Sequence, residues 1–440
     1  MPTSKMPNDL SSHWMPFSGN RYFQSHPRLI AKAEGCYFTT TDGKKLVDGL
    51  SGLWCCGAGH GRKGIAAAVS KTIAELDYAP GFQAGHPLSY ELASRLAAIL
   101  PGDLNHIMFT NSGSESADTS IKIARGYWRA KGEASRTLVI GRAKAYHGVN
   151  FGGMSVGGIA GNRKMFGPLL AADHLPHTLL PENAFSRGLP KKGVWLADEL
   201  ENIIALHDAS TIAAVIVEPF SGSAGVIVPP QGYLQRLRQI CDKYGILLIF
   251  DEVISGFGRT GEMFAAQMMG VTPDILNMAK TISNGSVPLG AVAASEKIYR
   301  AFMDNGGPEY AIEFPHGYTY SGHPVACAAG LATLDIFESE HLVEKSRALI
   351  PYFEDTIHGL KGLPHVEDIR NCGLAGAVQI AARDGDPAIR PFEIFQKCWD
   401  MGAYVRVGGN TLQFAPAFIA EKSDVDRLFN IVADALKAQK

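Results

Sequence analysis

The feature that most constrains the fold of this chain is a series of short apolar runs that alternate with segments of helical periodicity. Residues 63–76 and 89–100 carry apolar side chains at helical spacing. The apolar runs are rich in Ile, Val and Leu and lie at 106–110, 137–141, 213–218, 246–253, 275–278 and 290–295. Strands that are apolar at successive positions are buried on both faces, which is typical of a mostly parallel sheet. The pattern therefore predicts an α/β fold, with helices between the strands.

The two ends of the chain depart from this alternation. The first sixty residues are irregular and rich in Gly, Pro and aromatic side chains. After residue 322 the pattern predicts helices and strands in a different order, with Ser423 and Asp424 as the N-cap of the last helix. The helices are expected at 324–338, 341–360 and 423–438, and the strands at 373–381, 403–407 and 411–414.

These shifts in pattern divide the chain into three parts. A length of 440 residues suits two or three domains rather than one. We predict an N-terminal segment (1–61) that contributes to the small domain and to the active site. A large domain (62–322) would follow it, and a small C-terminal α+β domain (323–440) would complete the chain.

Charge and cysteine content exclude several classes of protein. The chain has 41 basic and 43 acidic side chains and no basic run, so nucleic acid is not expected as a partner. Its seven cysteines are scattered and form no CxxC pair, which favours a reducing compartment. No apolar run approaches the ~18 residues that span a bilayer, and no signal peptide is apparent. We therefore expect a cytoplasmic protein that does not bind a membrane.

Two charged residues follow predicted strands directly, in places where a charge needs a partner or a function. Asp251 follows the apolar run 246–250, and Lys280 follows the run 275–279. In open α/β sheets, ligands bind at the carboxyl ends of the strands. Taken alone, Asp251 could equally be a helix cap or one half of a structural ion pair. Taken alone, Lys280 could be a solvated surface lysine or one that forms a Schiff base with a carbonyl cofactor.

Two loops add a possible phosphate site and an aromatic ring. Residues 109–116 read FTNSGSES, a strand that enters a Gly/Ser turn and then a helix reaching about residue 129. Backbone N–H groups and the positive end of the helix dipole make such a turn suitable for phosphate, although Ser112 or Ser114 could simply cap the helix. Tyr146, in AYHG just after the run 137–141, could stack on a planar ring or merely pack.

The combination of these features is more informative than any one of them. A phosphate cup, an aromatic platform, a carboxylate and a lysine follow one another, each near a strand end of one sheet. Pyridoxal phosphate requires these parts. A carboxylate about 4 Å from the pyridine nitrogen contributes about 4 kcal/mol at an effective dielectric of about 20. That equals about three pK units, enough to keep the ring protonated near neutral pH. We therefore predict pyridoxal 5′-phosphate as the cofactor.

Two other motifs carry little weight. Residues 256–261 fit GxGxxG, but the dinucleotide fingerprint should join a strand directly to a helix, and residues 251–255 intervene. Cys55, Cys56 and His60 could suggest a metal site. Adjacent cysteines fit zinc-ligand spacing poorly and no second ligand pair is near, so no metal is expected.

The longer motifs resemble the class-III pyridoxal-phosphate aminotransferases over nearly the whole chain. Among them, the sequence is most similar to the ω-amino acid–pyruvate (β-alanine–pyruvate) aminotransferases. The resemblance rests on SGLWCCGAGHGR (51–62), FTNSGSESADTSIKIAR (109–125), AYHG (145–148), VEPFSGSAGVIVPP (217–230), LLIFDEVISGFGRTG (247–261), HGYTYSGHPVACAAG (316–330) and VRVGGNTLQFAP (405–416). No cofactor position departs from the family pattern, whereas Phe220, Ser223 and Ala224 lie where relatives vary.

The resemblance implies a fold-type-I architecture and a homodimer with shared active sites, which could pair into a tetramer. It implies that Lys280 bonds covalently to the cofactor and that Asp251 faces the pyridine nitrogen, and both would be catalytic. It also implies cofactor contacts from Ser112, Gly113 and Ser114 (phosphate cup), Tyr146 and Val253 (the two ring faces), Glu218 (cofactor pocket) and Thr319 (phosphate ligand from the neighbouring subunit).

The substrate side of the site also follows from the resemblance. Arg406 matches an arginine that grips a substrate carboxylate and swings aside for uncharged groups, and the planar guanidinium suits both oxygens of a carboxylate. Without the resemblance, a surface salt bridge would be the simpler interpretation of Arg406. Phe17, Trp54 and Tyr146 are the expected pocket walls, although Trp54 alone could equally belong to the core.

The implied reaction moves an amino group from an ω-amino acid such as β-alanine, or a simple primary amine, to pyruvate. The products are a semialdehyde, aldehyde or ketone and L-alanine. Lys280 would be the general base, with ping-pong kinetics. One alternative is another class-III enzyme, an aminomutase or a dialkylglycine decarboxylase. Another is a non-catalytic pyridoxal-phosphate-binding regulator, for which the N-terminus is too short and too weakly basic.

Overall fold

A computed structural model describes residues 10–167, 169–383 and 386–439. The strands come first because they position the site. They are β1 (Ile30–Glu34), β2 (Tyr37–Thr40), β3 (Lys45–Asp48), β4 (His106–Thr110), β5 (Leu138–Arg142), β6 (Ala172–Leu175), β7 (Ile212–Val217), β8 (Leu247–Asp251), β9 (Ile275–Met278), β10 (Gly290–Ala294), β11 (Val366–Cys372), β12 (Ala375–Ile380), β13 (Ala403–Tyr404), β14 (Arg406–Gly408) and β15 (Thr411–Phe414).

Helices occupy the segments between these strands, as the sequence pattern predicts. They are α1 (Asn20–Ser25), α2 (Ser51–Trp54, kinked), α3 (Lys63–Glu75), α4 (Pro87–Ile99), α5 (Gly113–Ala130), α6 (Phe151–Val156), α7 (Ala160–Arg163), α8 (Glu199–His207), α9 (Tyr233–Tyr244), α10 (Ala265–Met269), α11 (Glu296–Asn305), α12 (Pro324–Ser339), α13 (Leu342–His358), α14 (Ile389–Met401) and α15 (Lys422–Lys437). Within the described ranges, none of these helices is long and apolar enough to cross a membrane.

The central element is a seven-stranded sheet in the order β4-β10-β9-β8-β7-β5-β6. The contacts between β9, β8, β7, β5 and β6 are parallel, whereas β10 is antiparallel to both of its neighbours. The predicted α/β fold with a mostly parallel sheet is thus confirmed.

Both faces of this sheet are covered, which explains the continuous apolar runs. In β8, Leu248 and Phe250 enter one apolar cluster while Leu247 and Ile249 enter another on the opposite face. Every residue of β7 and β8 is buried. Burying a side chain of this size stabilises the fold by about 1.5–3 kcal/mol, so the central strands are held from both sides.

The N-terminal segment is more regular than its composition predicts. The expectation of an irregular first sixty residues is wrong, because β1, β2 and β3 form an antiparallel meander there. The C-terminal strand β13 adds to β3 in parallel, so the two ends of the chain share one sheet. The burial pattern of these strands is mixed, and the short, partly exposed runs give little periodic signal. The domain boundaries at 61/62 and 322/323 stay a prediction.

The C-terminal part contains a second antiparallel sheet in the order β11-β12-β15-β14. The predicted strand 403–407 is divided here, because β13 pairs with β3 whereas β14 pairs with β15. Strand β11 was not predicted. Helix α15 begins one residue earlier than predicted, with Glu421 rather than Ser423 at its N-cap and Asp424 completing the capping box.

Candidate active site

A single pocket gathers most of the predicted site residues at the carboxyl edge of the large sheet. It encloses about 450 Å³ of empty space. Loops after β4, β5, β7, β8 and β9 all reach it, as expected for ligand sites in open α/β sheets. Its lining consists of Gly113, Ser114, Tyr146, Gly148, Glu218, Asp251, Val253, Ile254 and Lys280.

The helix start of α5 forms one wall of the pocket. Ser112 is its N-cap, and the Ser112 hydroxyl accepts a hydrogen bond from the backbone N–H of Glu115 at 3.2 Å. The Glu115 carboxylate in turn accepts from the backbone N–H of Asn111 at 2.7 Å. Both roles left open for this turn are therefore compatible, since Ser112 caps the helix while the backbone at Gly113 and Ser114 faces the pocket. An 18-residue helix also presents the positive end of its dipole here.

Two glycines keep the space beside this helix start free. Gly148 has φ +88°, and a Cβ atom there would lie 2.5 Å from the Cα of Ser114. A Cβ atom at Gly113 would lie 2.8 Å from Cγ1 of Val253. Backbone and ligand can therefore approach closely only because neither position carries a side chain.

Asp251 ends β8 and is held in place by two hydrogen bonds. Nδ1 of His147 lies 2.8 Å from Oδ2 of Asp251, and the backbone N–H of Val253 donates to Oδ1 at 3.2 Å. Asp251 is 6% exposed and His147 is 1% exposed. A buried carboxylate with these two donors presents negative charge to the pocket from a fixed direction.

Lys280 lies two residues beyond β9, at the start of a 3₁₀ turn (Lys280–Ser283). Its backbone has φ +55°, an unfavourable left-handed conformation for a residue with a Cβ atom. Strain of this kind is found where a side chain must be aimed at a functional site. Burial lowers the pKa of Lys280, while Cys55 and Asp251 oppose that shift and Arg406 adds to it. The amine is therefore more readily neutral, and hence nucleophilic and basic, than a surface lysine.

Glu218 connects the loop after β5 to the loop after β7. Its carboxylate accepts from the backbone N–H of Tyr146 at 3.0 Å and from that of Gly222 at 3.2 Å. Burial raises the pKa of Glu218, and the nearby charge of Asp251 raises it further, whereas His147 opposes the shift. Glu218 therefore fixes the backbone that carries the Tyr146 ring.

Arg406, the predicted carboxylate-binding residue, lies close to this pocket without lining it. Burial lowers the pKa of its guanidinium, and Tyr404 and Tyr146 oppose the shift. Among the described residues no carboxylate pairs with Arg406, and the side chain of Gln413 accepts from its Nη1 at 3.4 Å. The surface salt bridge considered from the sequence is absent from this part of the chain.

Three predicted site residues lie outside the pocket of the single chain. Trp54 is 1% exposed and belongs to the main core cluster, and its carbonyl accepts from the Thr281 hydroxyl. Phe17 is 76% exposed. Thr319 is also exposed, and its carbonyl accepts from the Tyr78 hydroxyl at 3.1 Å. Their assigned roles stay predictions.

The residues in the pocket fit pyridoxal phosphate on structural grounds. The glycine-flanked helix start leaves room for a phosphate where a Cβ atom would block it. The Asp251 carboxylate suits a protonated ring nitrogen, and the Lys280 amine suits an aldehyde. Tyr146 and Val253 line the space between them, as expected for residues against the two faces of a planar ring.

His147 is the residue of this site that the sequence did not single out. It lies next to Tyr146, in a motif that was noted only for its aromatic ring. Its contact with Asp251 depends on the sheet order, because the loop after β5 must pass over the end of β7 to reach β8. No local spacing signal indicates that path, since 104 residues separate the two partners.

Comparison with known proteins extends this agreement to the whole chain. Residues 19–436 match the family model "Aminotransferase class-III". The β-alanine–pyruvate aminotransferase of Pseudomonas aeruginosa is 62% identical across 97% of this chain and 96% of that protein. The ω-amino acid–pyruvate aminotransferase of Pseudomonas putida is 58% identical across 97% and 96%. An amine transaminase from an uncultivated Pseudomonas species, solved in its PLP-bound form, has a TM-score of 0.91 at 35% identity, covering 98% of this chain and 99% of that one.

Proposed function

The chain belongs to the class-III aminotransferase family, and we propose that it transfers the amino group of β-alanine, or of a simple primary amine, to pyruvate. The products are L-alanine and the corresponding semialdehyde, aldehyde or ketone. The observation that carries this proposal is a pocket that joins Lys280 to Asp251, with Arg406 close enough to influence the pKa of Lys280. An amine, a carboxylate and a guanidinium without an acidic partner in the described chain are what an amino acid and a keto acid require.

Pyridoxal phosphate is the cofactor of this enzyme, and it supplies an aldehyde that accepts amino groups and a ring that withdraws electrons. We assign its phosphate to the helix start at Ser112, Gly113 and Ser114. Asp251 would hold the ring nitrogen, and Tyr146 and Val253 would hold the two faces of the ring.

We assign the proton transfer to Nζ of Lys280. Once released from the cofactor, the neutral amine can take the proton from the carbon that bears the amino group of the donor. Burial in the pocket favours that neutral form near pH 7. The left-handed backbone at Lys280 fixes the direction from which Nζ approaches.

We assign the substrate carboxylate to Arg406. β-Alanine and pyruvate both carry a carboxylate, and a guanidinium can bind both of its oxygens. Replacement of Arg406 by alanine is expected to lower kcat/KM for β-alanine about 100-fold, because a charge-assisted bidentate pair is lost. A donor without a carboxylate should change by no more than about threefold. Equal losses for the two donors would remove the proposed role of Arg406.

A donor panel with pyruvate as acceptor tests the reaction itself. We expect L-alanine formation in strict proportion to donor consumption, ping-pong kinetics and no carbon dioxide from β-alanine. Release of carbon dioxide, or turnover that needs no acceptor, would instead favour the decarboxylase or aminomutase alternatives.

We also propose a homodimer with shared active sites, in the cytoplasm. Thr319, assigned to the phosphate of the neighbouring subunit, lies at the surface beside Tyr320 and near Phe82, which are 58% and 60% exposed. Exposed aromatic rings in one region support a covering partner, and seven unpaired cysteines support a reducing compartment. Sedimentation should give twice the 47.3 kDa chain mass or a multiple of it. A monomer that retains full activity would contradict the shared site.

A further inference from the structure

We propose that Gln413 is a positioning residue that holds the Arg406 guanidinium toward the substrate carboxylate without neutralising it. This inference rests on the proposed function, because it concerns the residue assigned to that carboxylate. Gln413 lies on β15 directly opposite Arg406 on β14. Residues that are paired in this way across antiparallel strands place their side chains on the same face of the sheet.

The amide of Gln413 is fixed from the far side. Its Nε2 donates to the backbone carbonyl of Ser223 at 3.0 Å and to the Thr411 hydroxyl at 3.3 Å. Because both amide hydrogens are engaged, Oε1 is left to face Arg406, whose Nη1 donates to it at 3.4 Å. Gln413 is 0% exposed, so this orientation is not averaged by solvent.

The neutrality of Gln413 matters as much as its orientation. Arg406 has no carboxylate partner among the described residues, so its charge stays available to a ligand. A glutamate at position 413 would pair with the guanidinium and compete with the substrate. An amide oxygen aligns the fork, and its 3.4 Å contact is weak enough for a substrate carboxylate to replace.

Gln413 also connects Arg406 to the loop after β7. Ser223 belongs to a loop closed by the antiparallel bridge between Ser221 and Ile227. That loop begins just after Glu218, which carries the Tyr146 backbone. Ser223 lies where class-III relatives vary, so changes in this loop would alter substrate choice by shifting the Gln413 amide.

Isosteric replacement of Gln413 by methionine in the holoenzyme tests the proposal. The volume is kept while all three hydrogen bonds are lost. We compare kcat/KM for β-alanine with that for 3-methylbutylamine, which has the same shape but no charge, because in ping-pong kinetics this ratio reports only the donor half-reaction. Calorimetric Kd values for 3-hydroxypropionate, which has no amine, give a readout independent of turnover.

The matched control is Gln379→Met. Gln379 lies on β12 of the same sheet, and its Oε1 accepts from Nη1 of Arg370 at 3.0 Å. This variant loses an equivalent glutamine–arginine bond away from the pocket. It should change neither donor by more than about twofold, because Arg370 keeps its ion pair with Asp368.

For Gln413→Met we expect about a five- to tenfold loss of kcat/KM with β-alanine and a similar rise in the Kd of 3-hydroxypropionate. The uncharged donor should change by no more than about twofold. Gln413→Glu should weaken β-alanine by about 50-fold through the new ion pair, again selectively.

Failure of this inference can be distinguished from failure of the proposed function. Equal losses for both donors, or no loss, in Gln413→Met would overturn the positioning role while Arg406→Ala still discriminates between the donors. A Gln413→Glu enzyme that uses β-alanine as well as the native enzyme would also overturn it. If Arg406→Ala itself shows no selectivity, the assignment of the carboxylate site is wrong and the inference falls with it.

Discussion

Replacement of Lys280 by alanine is expected to lower kcat by at least about 10⁴-fold, the upper range for loss of a general base, with a further loss of covalent catalysis. No other described group can replace it, because the remaining ionisable side chains that line the pocket are Tyr146, Glu218 and Asp251. Burial raises the pKa of both Tyr146 and Glu218, so neither is a ready proton acceptor with the geometry of Nζ.

Two measurements check this expectation. Stopped-flow or steady-state assays give the rate, and borohydride reduction of the holoenzyme followed by peptide mapping identifies the labelled lysine. The peptide that contains residue 280 should carry the label in the native enzyme and lose it in the variant. Lys243→Ala is the control, since its amine is exposed and pairs with Glu201. Undiminished turnover and labelling in Lys280→Ala would refute the assignment.

The parts of this molecule that the sequence predicts are those with a local physical signal. The central strands β7 and β8 are buried on both faces, so each residue had to be apolar and the pattern was visible. Asp251 and Lys280 were noticeable because a charge follows such a strand only for a reason. The helix start at Ser112 was visible because turns and caps use few residue types.

The parts that were missed depend on distant contacts. The meander β1–β3 is completed by β13, more than 350 residues away, and its short half-exposed strands show little periodicity. The chain changes sheets between Tyr404 and Arg406, which no periodicity marks, because Val405 between them is itself buried. The contact of His147 with Asp251 likewise requires the order of strands in the sheet.

Replacement of Asp251 by asparagine is expected to lower kcat by about 10³-fold. Loss of a charge about 4 Å from the ring nitrogen removes about 4 kcal/mol at an effective dielectric of about 20, and each 1.36 kcal/mol is a factor of about ten in rate. The shape of the side chain and its contact with Val253 can be retained, so the effect should appear in kcat rather than in folding.

The direction of the pH dependence distinguishes this electrostatic role from a structural one. The carboxylate raises the pKa of the ring nitrogen, so its loss lowers that pKa and leaves the ring uncharged near pH 7. The variant should therefore regain rate as the pH falls, and the absorbance of its cofactor should titrate at a lower pH than in the native enzyme. Asp274→Asn is the control, because Asp274 is equally buried at 6% but pairs with Arg238 and Lys297 away from the pocket. It should cost stability and leave the cofactor titration unchanged. An Asp251→Asn enzyme within about tenfold of the native rate would show that the ring is activated without this carboxylate.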